Sequence, residues 1–582
     1  MQPQKIHRLA KPVCILLLSL LAGIGAGLLS RFVLSQNARF QSFTNSLFLQ
    51  EISSNTLNLH YTLAHPENYG IRQETITLGR AAPQDPAALQ KTLTGYITTL
   101  EDFSYQKLNR ENRIIYDMLL LYFKTELSLG DNYLLEEVVS PSLGIQAQLP
   151  VLLAEYTFYD EQDILDYLQL LTCIESYFDS ILAFEEKKAA SGYFMSDTTL
   201  HRVLEQCSAF LDTGTDNYLS ELFEEKLKTF PEFSQQKLEK YKKAHETILT
   251  QQVFPAYQTL MAGLSDLKGS GKNPYGLCYF DHGREYYRYL LRSQAGVYAS
   301  VEDLKDRLLR QLLQDSAEMS SLAGSNPRLL EQYEEDLEAF SPTDALASLE
   351  EKCQEDFPFL EDISYNIKYV PDSLEEFSSP AFYLIPPVDT NSPNTIYINR
   401  SGQTSNLELF TTLAHEGFPG HLYQTNYFSR IHPQKIRHLL SFGGYVEGWA
   451  TYVESYAYEY SGLDPDLARL GWLNRSLNLC IYSLLDVGIH YYGWTPAQAG
   501  AFLSGFGIQD GEIAEEIYQY IIETPGNYPK YYLGYLSFLD LKKEMQKKEA
   551  SAFTLISFHE KILDIGPVQF PVLKKYLLED AA

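Results

Sequence analysis

"LAHEGFPGH" at Leu413–His421 and "VEGWATYVE" at Val446–Glu454 decide how this chain is read. The first stretch places two histidines, a glutamate and a Pro-Gly break within nine residues, and the second opens its acids at Glu447, 26 positions after His421. Histidine with glutamate is the donor set of a catalytic zinc site. The regular H-E-x-x-H motif works because residues four apart lie about 40° apart around a helix. His415 and His421 are six apart, which on a straight helix separates them by about 120°. Pro419 interrupts a helix and Gly420 accepts backbone angles closed to other residues, so the pair can turn the chain and bring His421 back towards His415. A third ligand can come from Glu447 or Glu454, which are seven apart and share a helical face with Thr451. The carboxylate that does not bind metal can then steady a histidine from behind. Glu416 is placed to serve as general base for a water at the metal.

Outward from this segment the pattern is mainly helical. Apolar residues recur at threes and fours from about residue 40 to 340, as in "ILDYLQLLTCIESYFDSIL" at Ile164–Leu182, and further helices are expected at Tyr286–Ala295 and Val301–Leu322. Breaks are expected at Pro141, Pro150, Gly269–Gly276 and Ser341–Pro342. Between Phe377 and Arg400 the runs "AFYLIPP" and "NTIYINR", separated by "VDTNSPN", predict two strands of a small sheet, and the helical pattern resumes near Leu407. The expected architecture is mainly α, a two-lobed helical fold with a small β-sheet beside the site helix, and the two histidine- and acid-bearing segments read as a metallopeptidase site. Its helical N-terminal lobe spans 37–340 and its site-bearing lobe 341–582.

"AHEGFPGHLYQ" followed by "EGWATYVE" resembles a large bacterial family of unknown function that carries HExxPGHH and EGWAxYxE and is related to the thimet oligopeptidase-like zinc metallopeptidases. Similar stretches follow in order: Gly283–Arg292, Pro386–Asn399, Asp486–Ala499, Pro525–Leu536 and Phe558–Leu573. The resemblance thus extends over most of the chain after the amino terminus. It implies His415, His421 and Glu447 as ligands of a Zn2+ ion and Glu416 as general base. It also implies Tyr531, in "PGNYPKYYLGYL", as a donor to the oxyanion formed when water attacks a peptide carbonyl. Asp486 and His490, four apart in "DVGIH", can share a helical face with Asp486 orienting the imidazole, which serves either substrate binding and catalysis or a structural hydrogen bond. Arg475 is a candidate clamp for a substrate carboxylate, with an ion pair as the commoner fate of such an arginine. One departure stands out: this chain has Leu422 where the family has a second histidine. If that histidine is a ligand in the family, zinc binding here is impaired; if His421 is the ligand, position 422 is a neighbour of the site.

The amino terminus differs in kind. Lys5, Arg8 and Lys11 precede an apolar run from Pro12 to Ser30, and no acid occurs before Glu51. Nineteen helical residues span roughly 28 Å, about one hydrocarbon core, so residues 1–36 are expected to be a membrane anchor or a signal segment. The basic flank stays inside, which places the remainder outside the cytoplasm, as a single-pass membrane protein or a secreted one. Without that segment's four basic residues the formal charge moves from −29 to −33. Such a surface repels nucleic acid and anionic lipid, so no nucleic-acid partner is expected and membrane contact is confined to the first segment. Cys173, Cys207, Cys278, Cys353 and Cys480 are widely and irregularly spaced, which matches neither a zinc knuckle nor a dense disulfide framework.

Together these residues predict an extracytoplasmic zinc hydrolase that cleaves short peptides, with "NTIYIN" as a strand edge on which an extended peptide can pair. The competing expectation is a non-catalytic peptide-binding surface protein that keeps the peptidase fold, for which Leu422 is the main support.

Overall fold

Amphipathic runs fold into helices through most of the chain, and the short β-branched runs before residue 400 form the sheet. The computed structural model describes residues 35–579 apart from 74, 81–85, 142, 330–336, 371–374, 376–378 and 402–404. The expected anchor or signal segment lies almost wholly outside the described residues. Among those described, no helix is long and apolar enough to cross a membrane. Over the described residues the fold is mainly helical with one three-stranded sheet.

Nine elements build and support the site. They are α1 (Val301–Ser325), β1 (Tyr365–Tyr369), β2 (Ala381–Leu384), β3 (Asn394–Ile398), α2 (Asn406–Glu416), α3 (His421–Ile431), α4 (Gly443–Tyr460), α5 (Pro465–Val487) and α6 (Asn527–Glu549). The sheet order is β1-β3-β2, with β1 parallel and β2 antiparallel to β3. Two of these strands match the expected runs, whereas β1, "YNIKY", had no run of its own in the sequence reading. The expectation that "NTIYIN" forms an edge is corrected: β3 is paired on both sides and buried along its whole length, and β2 is the edge nearer the site. Continuous burial, rather than alternation, marks a strand covered on both faces.

A large core joins Phe40, Ile115 and Leu308 to Leu413, Trp449 and Phe538, so helices from both sides of residue 340 share it. A second core centres on Ile164, Phe178 and Tyr257 and reaches the sheet at Val370 and Tyr397. The long run Ile164–Leu182 is divided between two helices at Cys173, whose N–H bonds back to Leu170 O at 2.9 Å. That tightened turn separates the two helices without a change in the apolar period. Pro150 does not break the chain as expected but sits inside the helix Ile145–Glu155. Its missing N–H would leave Gln146 O without a partner, and the Tyr257 hydroxyl donates to that carbonyl at 2.7 Å instead. The five cysteines after the amino-terminal segment are all free thiols.

Candidate metal centre

α2 begins at Ser405, whose side chain accepts from Glu408 N, and ends at Glu416, where Gly417 N closes the last turn on Leu413 O. Residues 417–420 then reverse the chain, and α3 starts on His421. The reversal needs Gly420: a Cβ there would stand 1.8 Å from His415 O and 2.4 Å from Ala414 O. Trp449 of α4 fixes the turn from the other side, its indole N–H donating to Pro419 O at 2.9 Å. The outcome is the one the Pro-Gly break predicts. The His415 and His421 rings lie 4.8 Å apart, centroid to centroid, and nearly perpendicular at 85°.

α4 brings its acids to the same place. Glu447 Oε2 stands 3.6 Å from His415 Nε2 and 3.7 Å from His421 Nε2. The three donor atoms all lie within 4.8 Å of one another. A tetrahedral zinc with ligand distances of about 2.0–2.1 Å requires donors roughly 3.3 Å apart, so these residues fit the ion with only small movement. Glu454, two turns along, bonds the other nitrogen of His415, Nδ1, at 2.6 Å and so leaves Nε2 facing the shared point. Arg475 of α5 grips Glu454 with Nε at 2.9 Å and Nη2 at 3.4 Å. It thus holds Glu454, in an Arg475–Glu454–His415 relay that orients the imidazole, and the ion-pair expectation for Arg475 is the one this geometry fits.

Electrostatics follow from this geometry. Burial opposes charge on Glu454, but Arg475 and His415 outweigh it and hold the carboxyl down at about 2. Burial likewise pushes His415 down, yet its bonds to Glu447 and Glu454 hold it up at about 10. Glu447 is held well below the usual carboxylate range, because the two histidines overcome its burial. Glu416 moves the other way: burial raises it, with the histidines only partly offsetting the effect. Its Oε2 accepts the Tyr383 N–H from β2 at 2.8 Å, while Oε1 lies 4.0 Å from His415 Nε2. A carboxylate fixed by one oxygen, with the other turned to the metal locus, suits a proton acceptor.

These groups line a cleft of about 980 Å³ between β2, α2, α4, α5 and α6. Tyr531 lines it too, and burial together with Glu447 and Glu416 raises its phenol far above the ordinary value, so it stays a donor. The neighbouring Tyr532 is fully buried and bonds Ser476 at 2.8 Å, which separates the two tyrosines cleanly. Position 422 is resolved in the same way. Leu422 is fully buried in the large core, whereas His421 faces the cleft, so position 422 points away from the cluster.

The Asp486–His490 pair is corrected. Asp486 accepts from the Tyr287 hydroxyl at 2.5 Å and from Gly526 N at 2.9 Å. His490 accepts from Leu277 N at 3.2 Å and bonds Ile521 O at 2.9 Å, so both its ring nitrogens are taken by backbone. Burial pushes it down to about 4, and it is not among the residues lining the cleft. Tyr383 and Trp449 are the contributors that the sequence reading missed. The alternating burial of β2 and the invitation of an indole donor beside a Pro carbonyl carry a signal only once the partners are known.

The fold is shared with solved structures. A candidate lipoprotein from Colwellia psychrerythraea is 20% identical with a TM-score of 0.78, covering 92% of this chain and 98% of its own. A candidate lipoprotein of unknown function from Shewanella oneidensis is 16% identical with a TM-score of 0.64, covering 93% and 100%. A candidate oligoendopeptidase F from Bacillus anthracis str. Ames, at 10% identity and a TM-score of 0.30 over 84% and 92%, is too remote to bear on fold or chemistry. No curated protein matches the sequence. The family described as "Bacterial protein of unknown function (DUF885)" matches residues 67–577, nearly the whole described chain, and the protein belongs to that family.

Proposed function

We propose that this protein is an extracytoplasmic zinc-dependent hydrolase that cleaves peptide bonds in short peptides. The observation that carries the reading is the convergence of His415, His421 and Glu447 with Glu416 beside them and Glu454 behind. When bound, zinc supplies Lewis acidity, which acidifies water and polarises a carbonyl. His415, His421 and Glu447 hold the ion. Glu416 takes the proton of the attacking water on Oε1, with Oε2 anchored on β2. The Tyr531 phenol donates to the carbonyl oxygen as negative charge develops there. β2, the edge strand lining the cleft, is the strand on which an extended peptide can pair. Location outside the cytoplasm is supported by the apolar amino-terminal segment and by the description of two structural neighbours as candidate lipoproteins.

Purified protein is expected to carry one zinc per chain by elemental analysis and to hydrolyse short peptides; a metal-free, folded wild type that binds peptides without cleaving them would establish the binding-protein alternative. Tyr531→Phe is expected to lower kcat by about 10–10³-fold with KM little changed, as for loss of one oxyanion donor. An equal rise in KM with kcat intact would instead assign Tyr531 to substrate binding.

A further inference from the structure

We propose that a second cavity adjoining the cleft is a subsite for a cationic group of the substrate, either a basic side chain or the α-ammonium; this rests on the hydrolase reading above. The cavity holds about 480 Å³ and shares Ser441 and Asn527 with the cleft, so one extended chain can occupy both. Glu136, Glu137 and Glu523 stand on its wall.

Glu523 is the group that asks for a ligand. Its side chain is 1% exposed, and Oε2 has no hydrogen-bond partner. Gln519 bonds Oε1 at 2.6 Å, and Arg202 Nε stands 3.6 Å from Oε2 while the same guanidinium makes a shorter, 2.8 Å contact with Glu516. Glu137, by contrast, is bound by Lys188 at 2.8 Å. Behind it Glu185 is wholly buried, 3.8 Å from the same ammonium, with neither carboxyl oxygen hydrogen-bonded. Lys188 is thus shared between Glu137 and Glu185 and Arg202 between Glu516 and Glu523, while Glu136 and Lys530 also stand on the wall. Buried carboxylates left without a full set of partners are costly, and a cation entering from the cleft supplies what is missing. Burial raises both Glu136 and Glu523, consistent with carboxyls short of positive partners. Tyr286 and Tyr289 add ring surface to the wall, with centroids 6.0 Å apart, and Glu126 pins the Tyr289 hydroxyl at 3.0 Å. Aromatic faces beside carboxylates suit an ammonium or guanidinium.

The test is calorimetric titration of the full-length, zinc-loaded Glu416→Gln protein, which binds without turnover. Peptides identical except for lysine or norleucine at one position, each with a free or acetylated amino terminus, distinguish the two sources of charge. The charged member is expected to bind about tenfold or more tightly, the scale of one charge-assisted hydrogen bond. Added Glu523→Gln or Glu136→Gln is expected to shrink that preference to about twofold or less. Should the buried Glu523→Gln fail to fold, Glu136→Gln at the half-buried wall decides. Equal binding of charged and neutral peptides, or a preference that survives both substitutions, overturns the subsite alone. Failure of every peptide to bind overturns the hydrolase reading with it.

Discussion

Replacing Glu416 with glutamine is expected to lower peptide hydrolysis by about 10²–10⁴-fold while one zinc per chain remains bound. The substitution is nearly isosteric. Its amide oxygen can still accept the Tyr383 N–H that anchors Oε2 in the native protein. What disappears is the basic oxygen 4.0 Å from His415 Nε2, the position from which a proton of the attacking water is taken. The proposed ligands His415, His421 and Glu447 are untouched, so elemental analysis and activity should separate. Activity within about tenfold of wild type would remove Glu416 from the role of general base. Loss of zinc along with activity would make it a ligand.

Gly420→Ala is expected to reduce zinc affinity by about ten- to a hundredfold or more and to destabilise the fold by about 1–3 kcal/mol, although residue 420 contributes no side chain to the centre. The methyl group would collide with His415 O at 1.8 Å and Ala414 O at 2.4 Å, both backbone atoms of a packed helix that cannot swing aside. Relief requires the turn to open, which carries His421 away from Glu447 and draws Pro419 O from the Trp449 indole. Zinc titration and thermal unfolding together test this. Wild-type affinity with a normal melting temperature would show that the turn has slack the distances do not suggest. Wild-type affinity with lowered stability would uncouple the turn from the metal locus.

Much of the centre was legible because its determinants are local. The return of His421 follows from two residues between it and Glu416, and the shared face of Glu447 and Glu454 follows from seven positions of one helix. Spacing alone left the division of labour between those two acids open, and only the resemblance pointed to Glu447, since the choice depends on Arg475, a residue of the next helix that selects Glu454. The same limit explains the errors. Pro150 stays helical because Tyr257, more than a hundred positions later, takes the orphaned carbonyl. β3 is central because β1 pairs with it, and no run in the sequence reading announced that partner. Asp486 and His490 have the spacing for a pair, but each is satisfied by a distant element, Asp486 by Gly526 and His490 by Leu277 and Ile521.

α4 and α6 meet at glycines. A Cβ on Gly448 would fall 2.5 Å from the Gly534 backbone, and one on Gly534 would fall 2.2 Å from Gly444 O. Glu447 is the residue before one of these glycines, and Tyr531 lies one helical turn before the other. The two backbones are therefore in contact at the place where the proposed ligand acid and the proposed oxyanion donor line the cleft, and the gap between those groups is a fixed gauge. On the proposed peptidase reading, fitting this cleft to bulkier peptides would mean changing the walls formed by β2 and α5, because the glycine contacts leave α4 and α6 no closer approach and no side chain there to trim.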